Sequence, residues 1–263
     1  MRICMAGACG RMGRRIMELA VAQGHDVCGF DVAENDGAVL TPGQESGKPR
    51  SITVSADAAA EIAKADVMID FTHASVCLDN ARKAVAQGKP VVIGTTGLTE
   101  SQQAELKTLG EQVPIVFAPN MSVGVNLLFK LTREVAEILG LSYNVEIVEA
   151  HHNQKKDSPS GTAVRLAERA AEGLNLNYDK HVVHGRHGMV GARPIEQIGM
   201  HAVRGGDIVG EHTVSFIGQG ERVELTHKAH NRDNFAAGSI KAAEFVQNAT
   251  PGLYDMQDVL GLT

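Results

Sequence analysis

The chain opens with MRICMAGACGRMGRR, where the β-type run Arg2–Ala6 meets Gly7, Gly10 and Gly13 and then an amphipathic stretch, Arg11–Ala22. A strand, a glycine turn and a helix in direct succession start a βαβ unit, and few folds accept that start. The pattern then repeats. Apolar, largely β-branched runs at residues 26–31, 66–71, 91–94 and 115–118 alternate with segments of helical spacing at 74–87 and 100–111. Parallel neighbours need a long crossover, so strands joined in this way form a parallel sheet with helices on both faces.

Near residues 120–122 the pattern changes. A longer helical segment at 123–139 leads into a strand-like stretch at 144–149, and a second helix is predicted after Ser160, to about Gly173. Residues 181–230 read as strands and glycine-rich turns, with DIVGEHTVSFIGQGERVELTHKAH as a hairpin turning at 218–221. Residues 234–247 are helical again and suited to packing back on the first domain. The predicted class is therefore α/β: a Rossmann-like, doubly wound parallel sheet domain over residues 1–122, completed by 232–263. A second α+β domain with a mostly antiparallel or mixed sheet spans 123–231. At 263 residues, 43% of them apolar and 21% charged, the chain can bury a core in each.

Charge and cysteine usage exclude several function classes. The net charge of −6, with no dense run of Lys and Arg, argues against a nucleic-acid partner. No apolar stretch approaches membrane-spanning length, and the run before Gly7 is too short for a signal h-region, so a cytoplasmic protein without a membrane partner is expected. Cys4, Cys9, Cys28 and Cys77 lack C-x-x-C spacing and read as small buried hydrophobes.

The opening loop is suited to a dinucleotide. Gly7 can make the tight turn, a glycine-rich backbone lets a pyrophosphate approach, and the helix N-terminus that follows presents unpaired N–H groups to it. The spacing is G-x-x-G-x-x-G; the commoner G-x-G-x-x-G fails because Cys9 and Met12 fill its second and third glycine positions. Asp31 supplies support, since an acid about 20 residues on can accept both ribose hydroxyls of NAD. Two further loops, Gly94-Thr95-Thr96 and Ala118-Pro119-Asn120-Met121, fall at the carboxyl ends of predicted strands, where an open sheet binds its ligand. Alone they would pass for ordinary turns, with Thr99 or Ser101 capping the next helix. Beside the glycine motif they read as nicotinamide contacts.

A second concentration of chemistry is EAHHNQKKDSPSGTA, residues 149–163. In an extended chain, alternation puts His151 on the face of Val145, Ile147 and Glu149, and His152 on the other. No H-E-x-x-H or comparable zinc spacing is present, so no metal is expected. Pro159 reads as pre-set for the first turn of a helix, Ser158 and Ser160 as capping residues, and Gly161 and Thr162 as carriers of free N–H groups that attract a carboxylate. With Lys155 and Lys156 adding charge and histidine exchanging protons near neutral pH, the loop can hold a small anion and protonate it.

These stretches, together with IDFT, FAPNMSVGVN, RGGDIVGEHTVSF and LTHKA, resemble the 4-hydroxy-tetrahydrodipicolinate reductase (dihydrodipicolinate reductase) family, in matching order over nearly the whole chain. The resemblance implies a reductase of the diaminopimelate route to lysine, passing hydride from NADH or NADPH to the ring of a cyclic dicarboxylate. It implies His151 as proton donor and acceptor, Lys155 as second donor, and His152, Ser160, Gly161 and Thr162 as substrate ligands. Gly7, Ala8, Cys9, Gly10, Arg11, Met12, Asp31, Gly94, Thr95, Thr96, Ala118, Pro119, Asn120 and Met121 would hold the cofactor. A homotetramer built through the second sheet is implied as well. Val32 follows Asp31 where many members of that family carry an arginine suited to a 2′-phosphate, so NADH is expected to serve at least as well as NADPH, with Arg11 able to compensate. His73 and the second-domain histidines receive no role. A different nicotinamide enzyme, such as an amino-acid dehydrogenase, would need the glycine loop alone, and a non-catalytic NAD sensor would need neither His151 nor Lys155.

Overall fold

The computed structural model describes residues 1–262. In chain order the first unit contributes β1 (Arg2–Ala6), α1 (Arg11–Ala22), β2 (Asp26–Phe30), β3 (Val39–Leu40), β4 (Ile52–Thr53), α2 (Ala58–Ala63), β5 (Val67–Asp70), α3 (Ala74–Val85), β6 (Val91–Ile93), α4 (Glu100–Gly110) and β7 (Pro114–Phe117). Then come α5 (Val123–Leu139), β8 (Asn144–His151), α6 (Gly161–Leu174), α7 (Tyr178–His181), β9 (Val182–His184), β10 (Ile198–Arg204), β11 (Glu211–Ile217) and β12 (Arg222–Lys228). The chain closes with α8 (Asp233–Val246), β13 (Gly252–Tyr254) and α9 (Met256–Val259). Of the described residues, 1–123 and 232–262 form one compact unit, and 124–231 the other.

The first unit is a six-stranded sheet in the order β13-β7-β6-β5-β1-β2, parallel throughout. The alternation of β1 explains its two covered faces. Ile3 and Met5 point into one apolar layer with Ile16, Met17, Ala236, Ile240 and Val246, while Cys4 and Ala6 point into the other with Ile62, Leu78, Ala81 and Leu106. Each large aliphatic side chain here, such as Ile3 or Leu106, contributes about 1.5–3 kcal/mol when fully buried. Helix α1 turns Gly13, Ile16, Met17, Ala20 and Val21 inward at helical spacing. Helix α4 starts on a capping box in which Thr99 and Gln102 satisfy each other's backbone donors. Because the chain leaves β1 toward β2 on one side and resumes at β5 on the other, the strand order reverses between β1 and β5. The loops at the carboxyl ends there face a topological switch point.

The second unit carries a five-stranded sheet ordered β12-β11-β8-β10-β9. It is evenly mixed rather than mostly antiparallel: β8 pairs in parallel with β10 and antiparallel with β11, β10 pairs in parallel with β9, and β11 antiparallel with β12. The parallel half follows from α6, which lies between β8 and β10 in the chain and provides the crossover a parallel pair needs. Its small residues Ala163, Ala167, Ala170 and Ala171 pack with Leu166 on Val145, Ile147, Ile198, Val214 and Phe216. No helix among the described residues is long and apolar enough to cross a membrane.

Candidate active site

The glycine loop follows β1 at the switch point. Gly7 has φ +80°, and a Cβ there would lie 2.9 Å from the Phe71 carbonyl oxygen. Its N–H and that of Ala8 donate to Phe30 O at 3.0 and 3.2 Å, and Gly10 N–H donates to Gly7 O at 3.1 Å, folding the loop under the start of α1. Gly10 is the N-cap and has no side chain to cap the helix, so the donors at the start of α1 are left for another acceptor. Gly13 permits this approach, since a Cβ on it would come within 2.1 Å of Gly7 O. Backbone donors, a helix N-terminus and a cradle that a side chain would fill together fit a pyrophosphate.

Asp31, just past β2, is tied to this loop: one carboxylate oxygen accepts Cys9 N–H at 2.7 Å, and the other accepts Val32 N–H at 2.8 Å and the Asn35 amide at 2.9 Å. Val32 is 60% exposed and Arg11 is also exposed, so no basic side chain covers the carboxylate from the next position. Arg14, rather than Arg11, folds onto the loop and donates to Cys9 O at 2.9 Å. After β6, the two threonines separate. Thr95 is buried and gives its hydroxyl to Asp70 at 2.6 Å while accepting Thr72 N–H at 2.8 Å; Thr96 is exposed and presents the outward hydroxyl of that loop. Asp70 also takes the Thr72 hydroxyl at 2.7 Å and the Asn80 amide at 2.9 Å, so it anchors the loops after β5 and β6 together. After β7, Ala118 and Met121 are buried, Pro119 is exposed, and the Asn120 side chain accepts Ser122 N–H at 2.9 Å.

In the second unit β8 extends to His151, and burial alternates as the extended reading requires: Val145, Ile147, Glu149 and His151 are buried, while His152 is half-buried. Glu149 is fully buried and all its lone-pair directions are used. It accepts His151 Nδ1–H at 2.7 Å, Ser160 N–H at 3.0 Å, and two guanidinium bonds from Arg204 at 2.7 and 2.8 Å. Burial pushes the Glu149 carboxyl up, but Arg204, His151 and the Ser160 N–H outweigh it and bring it below the usual carboxylate range. Burial lowers the His151 imidazole, and Glu149 offsets this only in part. His212 stacks edge-on against His151, with centroids 5.2 Å apart at 74°, and its Nε2 meets the Ser160 hydroxyl at 2.9 Å. Burial, with the neighbouring His151 charge, lowers His212 to about 3, so it stays neutral.

Ser160 is the N-cap of α6, its hydroxyl accepting Ala163 N–H at 3.1 Å. Pro159 therefore lies ahead of the cap, joined to Ser158 by a cis peptide, and does not occupy the first turn as its type suggested. Gly161 opens α6 directly after this cap. Lys155 is 19% exposed and pairs with Asp157 at 2.9 Å, whereas Lys156 is exposed. His151, Lys155, Ser160 and Gly161 thus share one loop and one helix start, and this arrangement can neutralise a carboxylate and exchange a proton beside it.

Two site members escaped the sequence reading. Arg204 and His212 sit on strands more than fifty residues downstream, brought to β8 by the pairings Arg204↔His151 and His212↔Glu149. The only local signal was Glu149 itself, two residues before His151 and on the same face.

Comparison with known proteins covers both units. Residues 1–121 match the family model described as dihydrodipicolinate reductase, N-terminus, and residues 124–260 match that of the C-terminus. The chain is 49% identical over 264 residues to 4-hydroxy-tetrahydrodipicolinate reductase of Syntrophotalea carbinolica, covering 99% of each. It is also 49% identical to the protein of the same name from Citrifermentans bemidjiense, again covering 99% of each. Among solved structures, dipicolinate-bound dihydrodipicolinate reductase from Paenisporosarcina superposes with a TM-score of 0.76 at 25% identity, with 98% of both chains covered. Biliverdin reductase from Synechocystis shares the fold at 13% identity and a TM-score of 0.55, with 99% of this chain and 95% of that one covered.

Proposed function

The chain belongs to the dihydrodipicolinate reductase family and is an NAD(P)-dependent oxidoreductase of lysine and diaminopimelate biosynthesis, and on that premise we propose how its residues divide the reaction. 4-Hydroxy-tetrahydrodipicolinate becomes tetrahydrodipicolinate by losing its ring hydroxyl as water and gaining one hydride and one proton. The nicotinamide cofactor, when bound, supplies the hydride. Gly7, Ala8, Cys9, Gly10, Arg11 and Met12 hold its pyrophosphate, Asp31 accepts its ribose hydroxyls, and the loops at Gly94–Thr96 and Ala118–Met121 bound the nicotinamide. Asp31 also repels a 2′-phosphate, so NADH serves at least as well as NADPH.

Ser160, Gly161 and Thr162 receive one substrate carboxylate at the start of α6, with His152 beside them. Lys155 balances substrate charge and acts as second donor. Hydride addition leaves an electron-rich ring carbon, and His151 protonates it from Nε2, a step for which a positioned acid contributes about 10²–10⁴-fold. The observation that carries this reading is the His151 ring itself, buried and held at Nδ1 by a carboxylate that also accepts the N–H of Ser160 at the start of α6. Assembly as a homotetramer through the outer face of the second sheet accounts for Val148, Val183, Val203 and Ile217, each 36–48% exposed there.

The test is a coupled assay in which a synthase generates the hydroxy-tetrahydrodipicolinate and nicotinamide absorbance is followed with NADH or NADPH. Rapid loss of absorbance that collapses in His151→Gln, with NADH binding retained, is the expected result. Full turnover by His151→Gln would remove that histidine from the chemistry.

A further inference from the structure

His151 has two ring nitrogens with different surroundings. Nδ1 is 2.7 Å from Glu149 Oε2, while Nε2 has no hydrogen-bond partner among the described residues. Room at Nε2 is kept by Gly210, where a Cβ would stand 3.0 Å from that atom. Glu149 cannot swing away, since Arg204 grips both its oxygens and Ser160 N–H holds the one not bonded to His151. Arg204 is itself fixed by the carbonyls of Val203 and Asp157, at 2.7 and 2.9 Å. The ring plane is set from the other side by the edge of His212.

We propose that Glu149, clamped by Arg204, is the positioning residue of the reaction: it fixes the neutral His151 as the Nδ1–H tautomer and so makes Nε2 the atom that gives and regains the proton. This rests on His151 being the proton donor. An ionised carboxylate can only accept, so one placed at Nδ1 forbids the other tautomer, in which an unprotonated Nδ1 would face that oxygen without a proton between them. The same carboxylate stabilises the imidazolium needed for donation, and Arg204 tempers that charge. Facing His151 are Glu149 on its own strand, Lys155 from the following loop, Arg204 from β10 and the neutral His212 from β11. Of these, the group bonded to Nδ1 is the one that selects the tautomer.

The pair makes opposite predictions for its two members. The rate requires protonated His151, so kcat falls as pH rises through its pKa in the complex. Glu149→Gln removes a negative charge at hydrogen-bond distance and should move that limb to lower pH by about 1–3 units, with kcat at neutral pH falling by up to about 10²–10⁴-fold. Arg204→Gln removes a positive charge and should move the limb upward. KM for NADH stays unchanged in both. A role in folding alone would lower activity without displacing the limb in opposite directions.

The experiment measures kcat against pH for the full-length protein, Glu149→Gln, Arg204→Gln and His151→Gln. Nitrogen-15 shifts of labelled His151 in the unsubstituted protein are read alongside, with His151→Gln assigning the resonance. Opposite limb shifts and an Nδ1–H tautomer support the proposal. If the limb disappears in His151→Gln but stays at its original pH in both other variants, the positioning role is overturned while the donor reading survives. A limb that persists in His151→Gln overturns the donor reading, and the proposal with it. Should Glu149→Gln not fold, the tautomer decides, and an Nε2–H resonance in the unsubstituted protein overturns the assignment.

Discussion

Replacing Gly13 by alanine separates two effects that usually travel together. Alanine is the better helix former, worth about 0.8–1 kcal/mol over glycine inside a helix. Against this, the new Cβ would stand 2.1 Å from Gly7 O, where real contacts essentially never fall below 3.0 Å. The loop and the helix must therefore part by about 1 Å, at an overpacking cost of about 1–3 kcal/mol. Both sides of the clash are backbone, so no rotamer change relieves it. The two contributions nearly cancel in stability and leave a net loss of about 0–2 kcal/mol. Affinity gains no such compensation: withdrawing the start of α1 weakens charge-assisted hydrogen bonds worth about 1.5–3 kcal/mol each, and one such loss raises the NADH dissociation constant by about 10- to 100-fold. Fluorescence titration with NADH and thermal melts read the two quantities. Gly24→Ala is the control, since Gly24 has φ +87° with nothing within 4 Å, so alanine there costs about 1–2 kcal/mol of strain and leaves NADH affinity alone. A Gly13→Ala protein that binds NADH within about twofold of the parent would refute the phosphate-cradle reasoning.

Asp31→Ala should weaken NADH by about tenfold and spare or improve NADPH, as measured by titration; unchanged NADH affinity would remove Asp31 from the site. Lys155→Met should lower kcat and raise KM for substrate together, while Lys156→Met, at an exposed neighbour, should be mild; in steady-state kinetics the reverse pattern, with both variants folded, would overturn the division of roles in this loop. His212 titrates at about 3 in the folded protein against 6.5 unfolded, so the unfolded chain binds the extra proton, and stability is lost as pH falls from about 6.5 toward 3. His212→Gln should flatten that part of the denaturation profile by up to one proton, and an unaltered slope between pH 6.5 and 4 would contradict the buried, neutral assignment.

What could be read from the sequence follows the range over which each interaction acts. Alternation within β8 puts Val145, Ile147, Glu149 and His151 on one face from the sequence alone, because strand pleating is a property of adjacent residues. The glycine loop was legible for the same reason: strand, turn and helix are contiguous. Arg204 and His212 were not, since their places beside Glu149 depend on the pairing register of β10 and β11 with β8, which no local pattern encodes. Short elements escaped too. Helix α2 has six residues and β13 three, fewer than two full periods of either pattern, and β13 pairs along the edge that β7 offers. Pro159 misled in a different way: its type suits a first helical turn, but Ser160 binds both Ala163 and His212 and takes the cap.

The threading of the chain through its two units also has a bearing on biosynthesis. The edge strand β13 and helix α8, which contributes Ala236, Ile240, Ala242, Ala243 and Val246 to one face of the first sheet, are made only after all of residues 124–231. Synthesis proceeds at about 5–20 residues per second from the amino end, so the ribosome releases a complete second unit before the first can finish its core. During that interval the apolar face formed by Ile3, Met5, Ile69, Val92 and Val116 lacks its α8 cover. The nascent chain is therefore most exposed to aggregation and to chaperone capture late in translation, and the part of it at risk is the part translated first.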